Sequence, residues 1–116
     1  AMDAEQQRAA LTICLMAAFA DGGNDDRERA QIRKIAESLG GEGGVDVAAA
    51  YQDVLLTKPD LGAVAAALAS AEQKQFAYEM AVGVCDADGA TSAKEREFLA
   101  GLAQALPLSE ARAAFQ

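Results

Sequence analysis

One motif is written twice in this chain. Ala20-Asp21-Gly22 is followed by Glu28-Arg29, and Ala87-Asp88-Gly89 by Glu95-Arg96, position 87 against 20, an offset of 67 residues. The match spreads into the flanking apolar pattern: Ala10, Ala36 and Leu39 return as Ala77, Ala103 and Leu106, and Ile32 and Ile35 as Leu99 and Leu102. Over Ala10–Leu39 against Ala77–Leu106, eight of thirty positions are identical. Apolar residues at helical spacing on both sides of an Asp-Gly turn predict a helix–turn–helix hairpin used twice, its copies related by an approximate two-fold. The repeated polar residues are all charged and gather at the turns, so function is sought there first.

Composition narrows the fold. The chain has 116 residues, the size of one domain with one core (residues 1–116). Its apolar content of 52% is mostly Ala and Leu, with 5% aromatic residues and no Trp. Small apolar residues at this density favour close-packed helices, and no Val/Ile/Thr run alternates as a strand would. The expectation is an all-α bundle of about seven helices.

Charge and residue types narrow the function. A net charge of -8 repels phosphate backbones and anionic lipid, and favours hard cations and basic protein surfaces. With no histidine, the commonest general base, the histidine-dependent nucleophile systems and most zinc sites are absent. Cys14 and Cys85 have no ligand spacing and lie on apolar stretches, which reads as two buried thiols and fits a cytoplasmic protein. The acidic start, Ala1-Met2-Asp3-Ala4-Glu5, does not resemble a signal peptide, and Ala1 ahead of Met2 reads as a tag remnant. No apolar run approaches the ~18 residues of a bilayer span.

Helix signals punctuate the rest. Asp3 caps a first helix to about Ala20, with Leu11, Leu15 and Ala18 on its apolar face, and Gly22-Gly23 end it. Asp25…Glu28 has capping-box spacing and opens a second helix that carries Ile32, Ile35, Ala36 and Leu39. Gly40-Gly41-Glu42-Gly43-Gly44 breaks it. A third helix runs from about Val45 to Thr57, Pro59 stops it, and Asp60 caps a short fourth over Leu61–Ala69. Ser70…Gln73 and Ser92…Glu95 are two more capping boxes. They open a fifth helix to about Ala87, with Phe76, Met80 and Val84 inward and Ala77 and Ala81 beside them, and a sixth to Leu106 with Phe98, Leu99, Leu102, Ala103 and Leu106 as its core stripe. Pro107 ends the sixth, and Ser109 caps a last short helix to Phe115.

Three readings of the acidic turns compete. In the first they are helix ends: Gly22 and Gly89 terminate helices, and Glu28 and Glu95 close capping boxes, which leaves Asp21 and Asp88 without a role. An EF-hand has the right Gly89-to-Glu95 interval. Its first position would be Val84, however, and in the other copy Ala17 and Phe19 would hold the first and third, so the loops lack required carboxylates. In the third reading both hairpins pack around the two-fold and build one cation site. Asp21, Asp25 or Asp26, and Glu28 then converge with Asp86, Asp88 and Glu95. Gathered carboxylates repel unless a cation neutralises them, and an all-oxygen set suits Ca²⁺, Mg²⁺ or Mn²⁺.

The paired Ala-Asp-Gly…Glu hairpins, the segment Tyr51-Gln-Asp-Val-Leu-Leu-Thr-Lys-Pro59 and the acidic all-α composition resemble the TerB-like domain, named for tellurite-resistance protein B. The resemblance covers about Gln6 to Leu106. It implies a seven-helix bundle with a two-fold internal repeat, and a cytoplasmic role beside membrane-bound partners in a stress or tellurite-resistance system. It also implies divalent-cation binding by acidic residues of the turns, which carry over as Asp21 and Glu28, and Asp88 and Glu95. Asp86 stands where the first copy has Phe19, so any such site is asymmetric.

Weighed together, these observations predict a non-enzymatic binding or scaffold domain. Its expected partners are a divalent cation and proteins, membrane-associated ones or a second copy of the chain among them. A carboxylate-only, metal-dependent hydrolase is the enzymatic alternative. It lacks a phosphate-binding loop, and Arg29 and Arg96 read as surface partners of nearby acids. The third alternative is a structural interaction module, for which Tyr51, Val54, Leu55 and Leu56 supply either a core helix or an interface.

Overall fold

A computed structural model describes residues 3–20, 26, 30, 33–34, 47–86, 89 and 91–106. Five helices lie among them: α1 (Ala4–Phe19), α2 (Val47–Thr57), α3 (Leu61–Ala65), α4 (Ala71–Cys85) and α5 (Ala93–Ala105). The described residues contain no strand. Of the second expected helix, Asp26, Ala30, Arg33 and Lys34 are described and helical; the rest of it, and the short last helix, lie outside the described residues.

The helix starts follow side-chain chemistry. Asp3 accepts from the Gln6 amide at 2.8 Å, and Gln6 Oε1 accepts from the Asp3 amide at 3.1 Å, a reciprocal box that satisfies two otherwise orphaned donors. Ser70 with Gln73 and Ser92 with Glu95 repeat the arrangement, and Asp60 accepts from Ala63 at 3.0 Å. The fourth predicted helix, α3, is shorter than expected. Beyond Ala65 the bonding tightens to an i→i+3 pattern (Ala67 to Val64 and Leu68 to Ala65, both 3.1 Å). The amides of Ala69 and Ser70 then turn to the Gln73 side chain, so the cap of α4 takes the groups that would have prolonged α3.

α2 ends before Pro59 with Lys58 at φ 46, a left-handed conformation that costs a side-chain-bearing residue about 1–2 kcal/mol. The Lys58 amide still bonds to the Val54 carbonyl at 3.2 Å, and Thr57 Oγ1 donates to the Asp53 carbonyl at 2.7 Å.

α1 is the central helix and touches each of the other four. The sequence explains why: from Ala9 to Ala20 its only polar side chain is Thr12, whose hydroxyl is satisfied by the Arg8 carbonyl at 2.8 Å. Leu11, Leu15 and Ala18 are buried as expected, and so are Ala9, Ala10, Ile13, Cys14 and Ala17, so the helix is covered on every side rather than on one face.

α1 and α4 lie side by side and point the same way. At their starts the Gln73 side-chain amide donates to Gln6 Oε1 at 3.0 Å. At their other ends, Phe19 and Ala20 share clefts with Lys94, Glu97 and Phe98, from the first two turns of α5. Ala10, Ala17, Ala77 and Ala81 have no exposed surface, and side chains this small let two backbones approach closely. The sequence misplaced part of the α4 face. Ala77, Tyr78, Ala81, Val84 and Cys85 are buried, whereas Phe76, expected inward, is 37% exposed at the edge. Leu102, Ala103 and Leu106 of α5 close the core as predicted, with Phe98 and Leu99 half-covered.

Both cysteines are buried thiols, as expected. Burial, and after it the neighbouring Cys85, pushes the Cys14 thiol from its ordinary 9.0 up to about 12. Because the folded value is raised, its stabilising contribution is complete below pH 9 and is lost as the pH climbs towards about 12. Urea midpoints measured across that interval are expected to fall, and Cys14→Ala is expected to flatten the decline. Native protein at neutral pH should resist iodoacetamide at both thiols.

Candidate functional site

Asp26, Asp86 and Glu95 are the three sequence-predicted site residues within the described chain, and Asp26 is helical and exposed. Asp21, Asp25, Glu28 and Asp88 lie outside the described residues. The Asp86–Glu95 segment joins α4 to α5 and is built by local bonds. Asp86 is the C-cap of α4, and its carbonyl accepts from the Gly89 amide at 2.9 Å. Its carboxylate accepts from the Thr91 hydroxyl. Gly89 has φ +89, a conformation that glycine adopts without a Cβ clash. It follows the end of α4 by four residues rather than capping it directly, so the turn is broader than the motif suggested.

Glu95 occupies the first turn of α5 and is only 2% exposed. Its Oε1 accepts from the Ser92 amide at 2.8 Å, and its own amide donates to Ser92 Oγ at 3.1 Å. The capping role read from the sequence is therefore in place. Its depth of burial was not legible, because a capping glutamate normally sits at the surface. Two things make a carboxylate tolerable there: the amide bond and the positive end of the helix dipole. Arg96 donates through Nη1 to the Thr91 carbonyl at 2.7 Å and braces the same loop.

The EF-hand reading is excluded on structure as well as on sequence. Val84 and Ala17, the positions that would open the two loops, are fully buried inside α4 and α1. Phe19 and Asp86, equivalent by the offset, do different work. Phe19 meets the Tyr51 ring edge to face at 5.2 Å and 75°, while Asp86 holds Thr91. Among the described residues no three Asp, Glu or Cys side chains converge as a metal cluster. Two open clefts adjoin this end of the bundle. One, about 460 Å³, is lined by Ala20, Lys94, Glu97 and Phe98. The other, about 300 Å³, is apolar, and neither cleft sets Arg96 beside carboxylates among its described lining residues.

The family model for tellurite resistance protein TerB matches residues 7–115, nearly the whole chain. The chain belongs to the TerB family. No individual curated protein and no solved structure matches it. The all-helical core agrees with membership of the TerB family, and no helix among the described residues is long and apolar enough to cross a membrane.

Proposed function

We propose that this TerB-family chain is a non-enzymatic, cytoplasmic domain of a tellurite- or stress-resistance system. In this reading it binds a divalent cation through the acidic turns at one end of its bundle. It works by assembling with protein partners, membrane-associated ones among them. The observation that carries the reading is the common direction of α1 and α4, which brings their C-terminal ends, each followed in sequence by an Asp-Gly pair, to the same end of the described core. The donor set fits the ion. Asp86 and Glu95 with Asp21, Asp25, Glu28 and Asp88 offer only hard carboxylate oxygens, the ligands of Ca²⁺, Mg²⁺ and Mn²⁺. A cation would also offset the burial of the Glu95 carboxylate.

The two-fold repeat belongs to the same reading, and the core supports it. Leu11, Cys14 and Ala18 of α1 pack in one cluster with Val84, while Met80 borders it. The offset of 67 carries these five onto Tyr78, Ala81, Cys85, Ala17 and Ile13, all members of the other cluster. The Gln6–Gln73 bond joins two residues related by the same offset. Completing the first hairpin as the second is brings the five helices to six, and the short last helix expected after Ser109 would make seven.

Thermal unfolding of EDTA-treated protein, repeated with Ca²⁺, Mg²⁺, Mn²⁺ and Zn²⁺ added singly, tests the cation. An ion at about 100 times its dissociation constant stabilises by ~2.7 kcal/mol, a rise on the order of 10 °C for a domain of this size. A selective rise that disappears in Asp21→Asn or Asp88→Asn is the expected result. No rise with any ion would return the turns to helix capping.

A further inference from the structure

The second cleft has a chemical character of its own. Met16 and Phe19 from the end of α1, Val54 and Leu55 of α2, Pro59, and Phe98 of α5 form its apolar walls, and Lys58 is the one charged residue among its described lining. A volume of about 300 Å³, apolar walls and a single polar group suit a small ligand. Leu55 is 50% exposed while its neighbour Val54 is buried in the core, so this turn of α2 both holds the bundle and offers apolar surface to the groove. Lys58 is the second observation. Its φ of 46 is a conformation that favours glycine, yet a lysine stands there. Among the described residues its ammonium has no ion pair. The acid nearest to it in sequence, Asp60, is turned to the Ala63 amide at 3.0 Å as the cap of α3. Phe98 also walls the adjoining cleft, where Lys94 stands with Glu97. The described linings of the two clefts thus hold two cations and one anion, in a chain whose net charge is -8.

We infer that this groove takes a single-chain anionic amphiphile, a free long-chain carboxylate, with its alkyl tail along Phe19, Leu55 and Phe98 and its head on the Lys58 ammonium. The tail supplies affinity by leaving water, and the lysine selects the sign of the head. One cation matches one anion. An acidic helix, a second copy of this chain or an anionic bilayer would each bring many negative charges against a strongly acidic protein, and a single carboxylate brings one. A helix is also a cylinder ~10–12 Å across, whereas an alkyl chain fits a narrow groove. The inference goes beyond the proposed function and rests on neither the cation nor a protein partner.

The test is titration calorimetry in EDTA with dodecanoate, kept below its micelle concentration. Octanoate, with a shorter tail, and dodecyltrimethylammonium, with the same tail and the opposite charge, are the controls. Dodecanoate is expected to bind. Octanoate should bind at least roughly 10-fold more weakly, because each buried methylene is worth roughly 4-fold. The cationic amphiphile should bind about 5-fold more weakly or worse. Leu55→Asp, at an exposed wall position, and Lys58→Glu are each expected to weaken dodecanoate by about 5-fold or more. Lys58→Gly relieves the left-handed backbone, so it should unfold at no lower urea concentration than the parent and still lose affinity, which separates the head contact from the fold. The proposal is overturned by no binding of dodecanoate, by equal binding of the cationic amphiphile, or by undiminished binding to either Leu55→Asp or Lys58→Glu. It is equally overturned by a dimer in sedimentation that Leu55→Asp dissociates, since a second copy would then fill the groove.

Discussion

Ala77→Leu is expected to be among the most damaging single substitutions in this chain. Ala77 has no exposed surface and belongs to the core cluster that joins α1, α3, α4 and α5. A leucine there adds three carbons where close packing leaves no room. Overpacking a filled core costs about 1–3 kcal/mol, against a typical domain stability of about 5–15 kcal/mol. Forcing apart two helices that pack along their length puts this site at the upper end. Chemical denaturation should show a lowered urea midpoint with an unchanged slope, and Ala10→Leu, the counterpart by the offset and also fully buried, should match it. If either substitution is neutral, the two helices do not meet along these alanines.

Glu95 separates structure from function. Glu95→Ala removes the acceptor of the Ser92 amide and one half of the capping box, and leaves a half-buried donor without its partner, a loss of about 1 kcal/mol. Glu95→Gln keeps an oxygen where Oε1 accepts that bond, so most of the stability is retained. The charge is gone, however, and with it one anionic ligand. The expected pattern is a lowered melting temperature for Glu95→Ala alone, and a lost cation response for both. A Glu95→Gln protein that still answers to the cation as the parent does would remove Glu95 from the site and leave it a helix cap.

Helix starts were legible because they are local: Asp3, Asp60, Ser70 and Ser92 each declare themselves within four residues. The Asp3 box could have been read in full, since Gln6 stands three residues on, as Gln73 and Glu95 do for their serines. What escaped the sequence depends on neighbours. The early end of α3 is set by Gln73, a residue of the next helix. Phe76 looked inward by size, but the α4 residues buried in the cluster shared with α1 are Ala77, Tyr78, Ala81 and Cys85, and Phe76 is left 37% exposed. All-round burial of α1 was foreshadowed by its uncharged stretch from Ala9 to Ala20, a signal of centrality rather than of one apolar face. For the candidate site, the sequence placed Asp86 in the last turn of one helix and Glu95 in the first turn of the next. It left unread that Glu95 is buried and that Asp86 is engaged with Thr91.

The most direct test of the central claim, that both repeated turns serve one cation, is paramagnetic broadening of ¹⁵N-resolved amide signals as Mn²⁺ is added to EDTA-treated protein. The expected result is selective loss of the Ala20, Asp86, Gly89 and Glu95 signals at low Mn²⁺. Asp3, Gln6, Ser70 and Gln73, near the starts of α1 and α4, should stay sharp. Ca²⁺ or Mg²⁺ in excess should restore the lost signals if those ions share the site. Broadening confined to one turn, or spread evenly over exposed carboxylates at both ends, would contradict a shared site.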